Sequence, residues 1–258
     1  MQDRRIFGFI GFLIVTLAAA QAQELTLEEI LKRNEDAIGG AVAIDGIQTL
    51  KLTAHSVMAG SKKGFSMVVM TKRPNLVRME MTVQGNEVIM GYDGVTAWRV
   101  TGSGEPEKLD QASASRLKDT SMNTSIGALT SLRAAGHQLE LLGKEDAAGG
   151  PAYKVKVTMK DGMTAVYYLD AKTFLPVRTI ATVSTAGKDM EVESYPTDYR
   201  RVGGIMFAHS IDQRVGGSSI GKLTYEKIEV NEPMEDKIFQ MPGGSDDIAF
   251  TKNLDHKA

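Results

Sequence analysis

The sequence of 258 residues contains no cysteine, a single tryptophan and, after its N-terminal segment, no apolar run long enough to span a membrane. The absence of cysteine excludes a disulfide framework and an N-terminal cysteine that could carry a lipid anchor. Basic and acidic residues nearly balance, with 30 Lys and Arg against 32 Asp and Glu, and no long block of like charges occurs. Nucleic acid is therefore not an expected partner, and no polybasic membrane anchor is predicted.

The first residues have the three parts of a secretory signal peptide. Arg4-Arg5 gives a positive start, Ile6–Ala20 is an apolar run too short for a comfortable membrane span, and Ala20-Gln21-Ala22 is a small-x-small cleavage site. The sequence therefore predicts a cleaved signal peptide over residues 1–22 and a single soluble domain over residues 23–258.

The stretch from Gly64 to Val100 has the pattern of four short antiparallel strands. Its apolar runs are separated by three chain-reversing groups, which are Lys72-Arg73-Pro74-Asn75, Gln84-Gly85-Asn86 and Asp93-Gly94. In the second run, Val77, Met79 and Met81 fall on one face, while Arg78 and Glu80 fall on the other. This period of two predicts an apolar face and a mostly solvent-exposed face.

The apolar face is rich in methionine and leads to the tryptophan. Its predicted members include Met67, Met70, Met79, Met81, Met90 and Trp98. Methionine is flexible and polarisable, so it suits an adaptable binding surface, but it also fills ordinary cores. We interpret this face as the wall of a binding cavity, with a plain hydrophobic core as the alternative.

Helical patterns occur at the start and in the middle of the chain. Thr26 and Glu29 form a capping box ahead of apolar residues at helical spacing. Ala112–Lys118 and Ile126–Ala135 favour two further helical segments, and strand patterns separated by turns resume at His137. We predict a mainly β fold in which a strongly curved antiparallel sheet of about eleven strands forms a half-open barrel, with an N-terminal helix and a mid-chain helical lid.

Several short segments, spread over most of the chain, share the pattern of a known family. They are Lys72-Arg73-Pro74-Asn75-Leu76 with the strand through Val83, Asp93-Gly94 with Thr96 and Trp98, Leu169 to Val177, Gly204-Ile205-Met206-Phe207 with His209, Val230-Asn231-Glu232, and Phe239-Gln240-Met241-Pro242. On these residues the chain resembles the periplasmic lipoprotein carriers and outer-membrane lipoprotein-sorting proteins of the Lol type. The resemblance implies an unclosed antiparallel barrel with helices at its mouth and a hydrophobic cavity that shields acyl chains.

The resemblance also implies a function and partners. The protein is expected to be an unanchored, monomeric periplasmic protein that takes part in lipoprotein or lipid transport to the outer membrane. Its expected partners are a lipid or acylated lipoprotein cargo and transient donor and acceptor membrane proteins. The candidate cavity residues are Met67, Val69, Met79, Met81, Met90, Trp98, Leu117, Leu129 and Leu132. A lipid-sensing regulatory domain on the same fold is the alternative function.

One catalytic pattern occurs near the C-terminus. Gly217-Ser218-Ser219-Ile220-Gly221 matches G-x-S-x-G, in which Ser219 would need a strand before it and a helix after it. Lys222–Val230 alternates like a strand, so the prediction is a glycine-rich hairpin, and a serine esterase using Ser219 is the less favoured alternative. The four histidines have no metal-binding spacing. We therefore expect no enzyme activity, no metal and no cofactor.

Overall fold

A computed structural model describes residues 24–60, 64–119, 126–185 and 188–243. The predicted signal peptide, residues 1–22, lies outside the described residues. The β-strands are β1 (Thr49–Met58), β2 (Gly64–Lys72), β3 (Leu76–Val83), β4 (Asn86–Tyr92), β5 (Ala97–Thr101), β6 (Glu107–Lys108), β7 (Gln138–Ala147), β8 (Gly150–Thr158), β9 (Thr164–Asp170), β10 (Pro176–Thr185), β11 (Lys188–Val202), β12 (Ile205–Val215) and β13 (Ser218–Val230). The helices are α1 (Leu27–Ile38), α2 (Ala41–Gly46), α3 (Gln111–Asp119), α4 (Leu129–Ala134) and a 3-10 helix (Asp236–Phe239).

All thirteen strands belong to one antiparallel sheet with the order β6-β5-β4-β3-β2-β1-β13-β12-β11-β10-β9-β8-β7. Every pair of neighbouring strands in the sheet is also consecutive in sequence, except for β1 and β13. These two are the first and last strands, and they pair with each other in the middle of the sheet. Among the described strands, β6 and β7 form the two edges of the sheet, and helices α3 and α4 lie between them in the sequence. So large a sheet curls rather than staying flat, and the result is an open half-barrel.

The predicted fold class is confirmed, and the predicted number of strands is slightly too low. Part of the difference is β6, a strand of only two residues that is not among the predicted strands. A strand this short has no alternation of side chains from which it could be recognised. The four-strand meander and its three predicted turns agree with β2 to β5, and the predicted mid-chain helices correspond to α3 and α4.

Helix α1 begins where the capping box was predicted. The backbone N–H of Thr26 donates to Glu29 Oε2 at 2.8 Å, and the backbone N–H of Glu29 donates to Thr26 Oγ1 at 3.3 Å. These bonds satisfy two of the N–H groups that a helix start leaves without partners. The buried residues Ile30, Leu31 and Ile38 recur at helical spacing and turn one side of α1 towards the sheet.

Two hydrophobic clusters lie between the helices and the sheet face that they cover, which we call the inner face. In the first, Ile38 of α1 and Ile44 of α2 pack with Leu50, Leu52, Val69, Ile205 and Phe207 of the sheet. In the second, Ile30 and Leu31 of α1 and Leu129 and Leu132 of α4 pack with Val155, Val157 and Leu169. The helices therefore bind to the sheet mainly through aliphatic side chains.

Asn34 connects α1 to two other parts of the inner side. Its side chain is fully buried, its Nδ2 donates to the carbonyl of Phe174 at 2.9 Å, and its Oδ1 accepts from the backbone N–H of Leu129 at 3.1 Å. This one amide thus holds α1 against both α4 and the β9–β10 turn.

We expect Asn34→Ala to lower the free energy of unfolding by about 2 kcal/mol, because it leaves a buried carbonyl and a buried N–H without partners. Urea denaturation measures the change. Asp36→Ala, on the exposed side of the same helix, is the matched control and should cost under about 1 kcal/mol. Equal losses in the two variants would show that the Asn34 bonds contribute little.

The opposite sheet face, which we call the outer face, is covered over β2–β5 by the C-terminal segment, residues 232–243. Met70 packs there with Ile238 and Phe239, while Ile89, Trp98 and Val100 pack with Met241. Lys72 binds the start of this segment. Its Nζ donates to the carbonyl of Met234 at 2.7 Å and lies 2.6 Å from Asp236 Oδ1. This segment therefore covers the sheet face opposite the one on which α1 and α2 pack. None of the helices in the described part of the chain is long and apolar enough to cross a bilayer.

Candidate functional site

The sheet register places five of the predicted cavity residues on the inner face. Val69 lies opposite Met79, and Met79 lies opposite Met90 on the next strand. Met67 lies opposite Met81 in the same β2–β3 pair. Directly opposed residues of an antiparallel pair project to the same side, and residues two apart share that side, so these five side chains form one surface.

This methionine surface is only partly filled by the helices. Val69 is buried in the first cluster, against which Met67 and Met79 also pack. Met81 and Met90 are partly exposed and belong to neither of the two inner clusters. The surface therefore passes from a packed core near α1 to partly exposed methionines on β3 and β4.

The predicted residues of the helical insert lie on two helices that contact different parts of the sheet. Leu117 is buried on α3, which contacts β3, β4 and β5. Leu129 and Leu132 are buried on α4, in the cluster over β8 and β9. The insert therefore covers both halves of the sheet, as a lid was expected to do, and its leucines are core contacts of the lid.

Trp98 does not lie with the methionines, and the prediction that it shares their surface is wrong. Trp98 lies opposite Gly91 of β4, and Gly91 lies opposite Arg78 of β3. All three residues therefore belong to the outer face. There Trp98 is fully buried, and its Nε1 donates to the carbonyl of Phe239 at 2.8 Å. Met70 is likewise an outer-face residue, packed against the 3-10 helix.

The expectation of a mostly solvent-exposed second face also needs correction. Arg78 is only 2% exposed, and its Nη1 donates to the carbonyl of Ile238 at 2.7 Å. Glu80 accepts from its Nε at 2.7 Å. Arg78 is buried because the C-terminal segment covers it, and a covering segment more than 150 positions away leaves no signal in the strand itself.

A cavity with a volume of about 170 Å³ lies on the inner face beside the methionine surface. It is bounded by Ile38 of α1, by Ile126 and Gly127 of the insert, and by strands β1 and β9–β13. Its sheet residues are Leu52, Tyr167, Pro176, Thr179, Pro196, Tyr199, Met206, Phe207, Ala208, Ile211, Tyr225 and Ile228. None of the nine predicted residues lines it, although Leu52 lies directly opposite Val69 of the methionine surface.

Sequence reasoning missed these lining residues because they come from distant strands. Strand alternation in β9–β13 indicates which residues share a face, but it does not show which face the helices cover. The observed register supplies that information, since Tyr167 lies opposite Thr179 and Pro196 lies opposite Ile211.

The cavity has no charged side chain in its lining. Three of its four hydroxyl-bearing residues are tyrosines, and burial raises the pKa of Tyr167, Tyr199 and Tyr225 above the ordinary phenol value. Each of these phenols is therefore protonated at neutral pH and can donate a hydrogen bond. The arrangement can hold an uncharged, mainly apolar molecule and cannot neutralise an ion.

The described residues contain no group of His, Asp and Glu side chains close enough together to hold a metal ion. Ser219 lies in β13, after the Gly216-Gly217 turn, and its hydroxyl donates to Asp212 Oδ1 at 2.7 Å. The strand continues to Val230, so the helix that a nucleophile elbow requires does not follow. This agrees with the predicted hairpin.

Three solved structures have the same fold as this chain. A LolA superfamily protein from Nitrosomonas europaea is 16% identical with a TM-score of 0.54, over 84% of this chain and 98% of that protein. A DUF1329 family protein from Desulfovibrio piger is 12% identical with a TM-score of 0.53, over 83% and 96%. An outer membrane lipoprotein-sorting protein domain from Vibrio parahaemolyticus is 10% identical with a TM-score of 0.53, over 81% and 95%.

No protein-family model matches the chain, and a search of curated proteins found no match. The structural similarities therefore concern the fold. At this level the resemblance to the Lol-type proteins is confirmed, because the alignments cover more than four fifths of the chain and nearly all of each similar protein.

Proposed function

We propose that this protein binds a lipid or lipoprotein by shielding an acyl chain on the inner face of its half-barrel. The observation that carries the proposal is the uncharged cavity on that face, whose lining residue Leu52 lies directly opposite Val69 of the methionine surface. An open curved sheet with an apolar inner wall offers a long contact surface to a hydrocarbon chain. The fold shared with a lipoprotein-sorting protein domain supports the same function.

The size of the cavity suits a part of an acyl chain. A cavity of about 150 Å³ holds a molecule the size of benzene, whereas pockets that enclose whole small ligands are about 300–1,000 Å³. The cavity of about 170 Å³ therefore accepts a short chain segment, and the rest of the chain would lie along Met79, Met81 and Met90. Each buried methylene contributes about 0.8 kcal/mol, so partial burial allows a carrier to release its cargo.

Several parts of the proposal concern the cell rather than the fold. We place the protein in the periplasm as an unanchored monomer that carries cargo from a donor to an acceptor membrane protein in lipid or lipoprotein transport. The predicted signal peptide and the fold of the similar proteins support this location. We propose binding without a catalytic step or a cofactor, and the position of Ser219 within a strand supports this.

The first test is mass spectrometry of organic extracts from the mature protein, purified from its native compartment without detergent. We expect near-stoichiometric phospholipid or acylated peptide. A protein that is empty, and that also fails to bind the methyl ester of a pyrene-labelled fatty acid, would show that the inner face is only a core.

The second test fills the cavity. We expect Ile211→Trp, at the cavity wall, to weaken binding of the pyrene-labelled ester at least about tenfold, because the indole occupies the space that the chain would enter. Ile220→Trp is the matched control, because Ile220 is 43% exposed in β13 and does not line the cavity. Fluorescence titration measures both affinities, and an unchanged affinity for Ile211→Trp would place the bound chain elsewhere.

A further inference from the structure

The cavity is apolar apart from four hydroxyl-bearing side chains, Tyr167, Thr179, Tyr199 and Tyr225. One of them is used within the protein, because the Tyr199 hydroxyl donates to the carbonyl of Pro176 at 2.7 Å. The hydroxyls of Tyr167 and Tyr225 have no hydrogen-bond partner among the residues that the structure describes. Two donors thus stand unused in the wall of an otherwise apolar space.

Tyr167 and Tyr225 are both partly exposed, so their hydroxyls can bind water while the cavity is open. An apolar occupant that displaces this water would leave the hydroxyls unpaired, and leaving a polar group unpaired in apolar surroundings is unfavourable. An occupant that brings an acceptor avoids this loss. The two hydroxyls are therefore suited to a polar atom that an occupant of the cavity brings with it.

The charge of the surroundings limits what that atom can be. An ionised carboxylate or phosphate placed among these residues would be desolvated without a cation to pair with it, which is strongly unfavourable. The carbonyl oxygen of an ester or amide is uncharged and accepts one or two hydrogen bonds. It is also the group that joins an acyl chain to a lipid or to a lipoprotein.

We infer that Tyr167 and Tyr225 bind the carbonyl oxygen of an uncharged acyl ester or amide, so that the cavity selects esterified or amide-linked chains over free fatty acids. The inference rests on the proposed function and names the chemical class of its ligand. Thr179 extends the polar spot, because it lies directly opposite Tyr167 in the β9–β10 pair and also lines the cavity. The carbonyl would mark where the buried chain ends and the headgroup begins.

Four short ligands that differ at one group test this selectivity. They are methyl octanoate, N-methyl octanamide, undecane and octanoate, each used to displace the pyrene-labelled ester at neutral pH. Undecane is the most hydrophobic, so its own affinity does not decide the question. The decisive quantity is how the affinity of the ester and the amide, relative to undecane, changes when a hydroxyl is removed.

We expect Tyr167→Phe and Tyr225→Phe each to lower the ester-to-undecane affinity ratio about threefold to tenfold, the effect of one hydrogen bond. Undecane itself should bind each variant as well as the unchanged protein or better. Octanoate should bind the unchanged protein at least about tenfold more weakly than methyl octanoate. A loss for the ester alone, or for the amide alone, would identify which linkage the site takes.

Tyr153→Phe is the matched control, because Tyr153 stacks on Phe174 with ring centroids 5.7 Å apart and does not line the cavity. Its affinity ratio should equal that of the unchanged protein. An unchanged ratio in the Tyr167→Phe, Tyr225→Phe double variant, or octanoate binding as tightly as the ester, would overturn the inference and leave the proposed function standing. Failure of all four ligands and of the labelled ester to bind would overturn both.

Discussion

Replacing Arg78 with alanine is expected to lower the free energy of unfolding by about 3–5 kcal/mol. Arg78 is only 2% exposed, and its guanidinium donates to Glu80 Oε1 and to the carbonyl of Ile238, each at 2.7 Å. It also lies 5.9 Å from the centre of the Trp98 ring. Truncation leaves a carboxylate and a carbonyl without their donor, and it leaves a void beneath the C-terminal segment.

Urea denaturation, with the midpoint and the slope both recorded, measures this loss. Arg99→Ala is the matched control, because Arg99 pairs with Glu107 at 2.5 Å in the same sheet but is 44% exposed. An exposed pair contributes under about 1 kcal/mol. Arg78→Met, which keeps volume without the charge, should cost less than Arg78→Ala. Equal losses for Arg78→Ala and Arg99→Ala would show that the C-terminal segment does not depend on the buried guanidinium.

Arg78 also shows how far strand alternation can be used to predict a fold. The period of two correctly separates it from Met79, and the predicted turns correctly set the order of β2 to β5. Alternation does not say whether a polar face stays in water. The burial of Arg78 depends on the C-terminal segment, which follows the last strand in the sequence and packs on the outer face of β2 to β5.

The candidate site could be predicted only in part for the same reason. The shared face of Met67, Val69 and Met79 could be predicted because these residues alternate within one hairpin, where sequence separation is small. The cavity combines residues of α1 and β1 with residues of β9 to β13, which meet only because the sheet joins β1 to β13 and curls. Local patterns carry no information on such a closure, since it depends on the sum of twist and register over many strands.

The predicted position of Trp98 is wrong because the length of the turn before β5 decides to which face of the sheet each side chain of β5 points. Asp93 accepts from the backbone N–H groups of Val95 and Thr96, at 2.9 and 2.7 Å, in the turn between β4 and β5. This turn fixes Gly91 opposite Trp98 and Met90 opposite Arg99. A turn one residue longer or shorter would have placed the indole on the inner face.

The same pairing explains why position 91 is a glycine, and it leads to the second large expected effect. A methyl group on Gly91 would overlap two carbon atoms of the Trp98 ring and would lie 2.7 Å from its Nε1. The ring cannot move away freely, because it is fully buried and its Nε1 donates to the carbonyl of Phe239. We expect Gly91→Ala to lower the free energy of unfolding by roughly 3 kcal/mol, at the upper end of overpacking costs.

Urea denaturation of Gly91→Ala and Gly46→Ala compares the same substitution at two sites. Gly46 ends α2, and nothing lies within 4 Å of the position that its methyl group would take. Gly46→Ala should therefore be neutral or stabilising by under about 1 kcal/mol. In a Trp98→Leu background, where the ring is absent, Gly91→Ala should cost much less than it does in the unchanged protein. An equal cost in both backgrounds would mean that strand β4, and not the indole packed on it, requires the glycine.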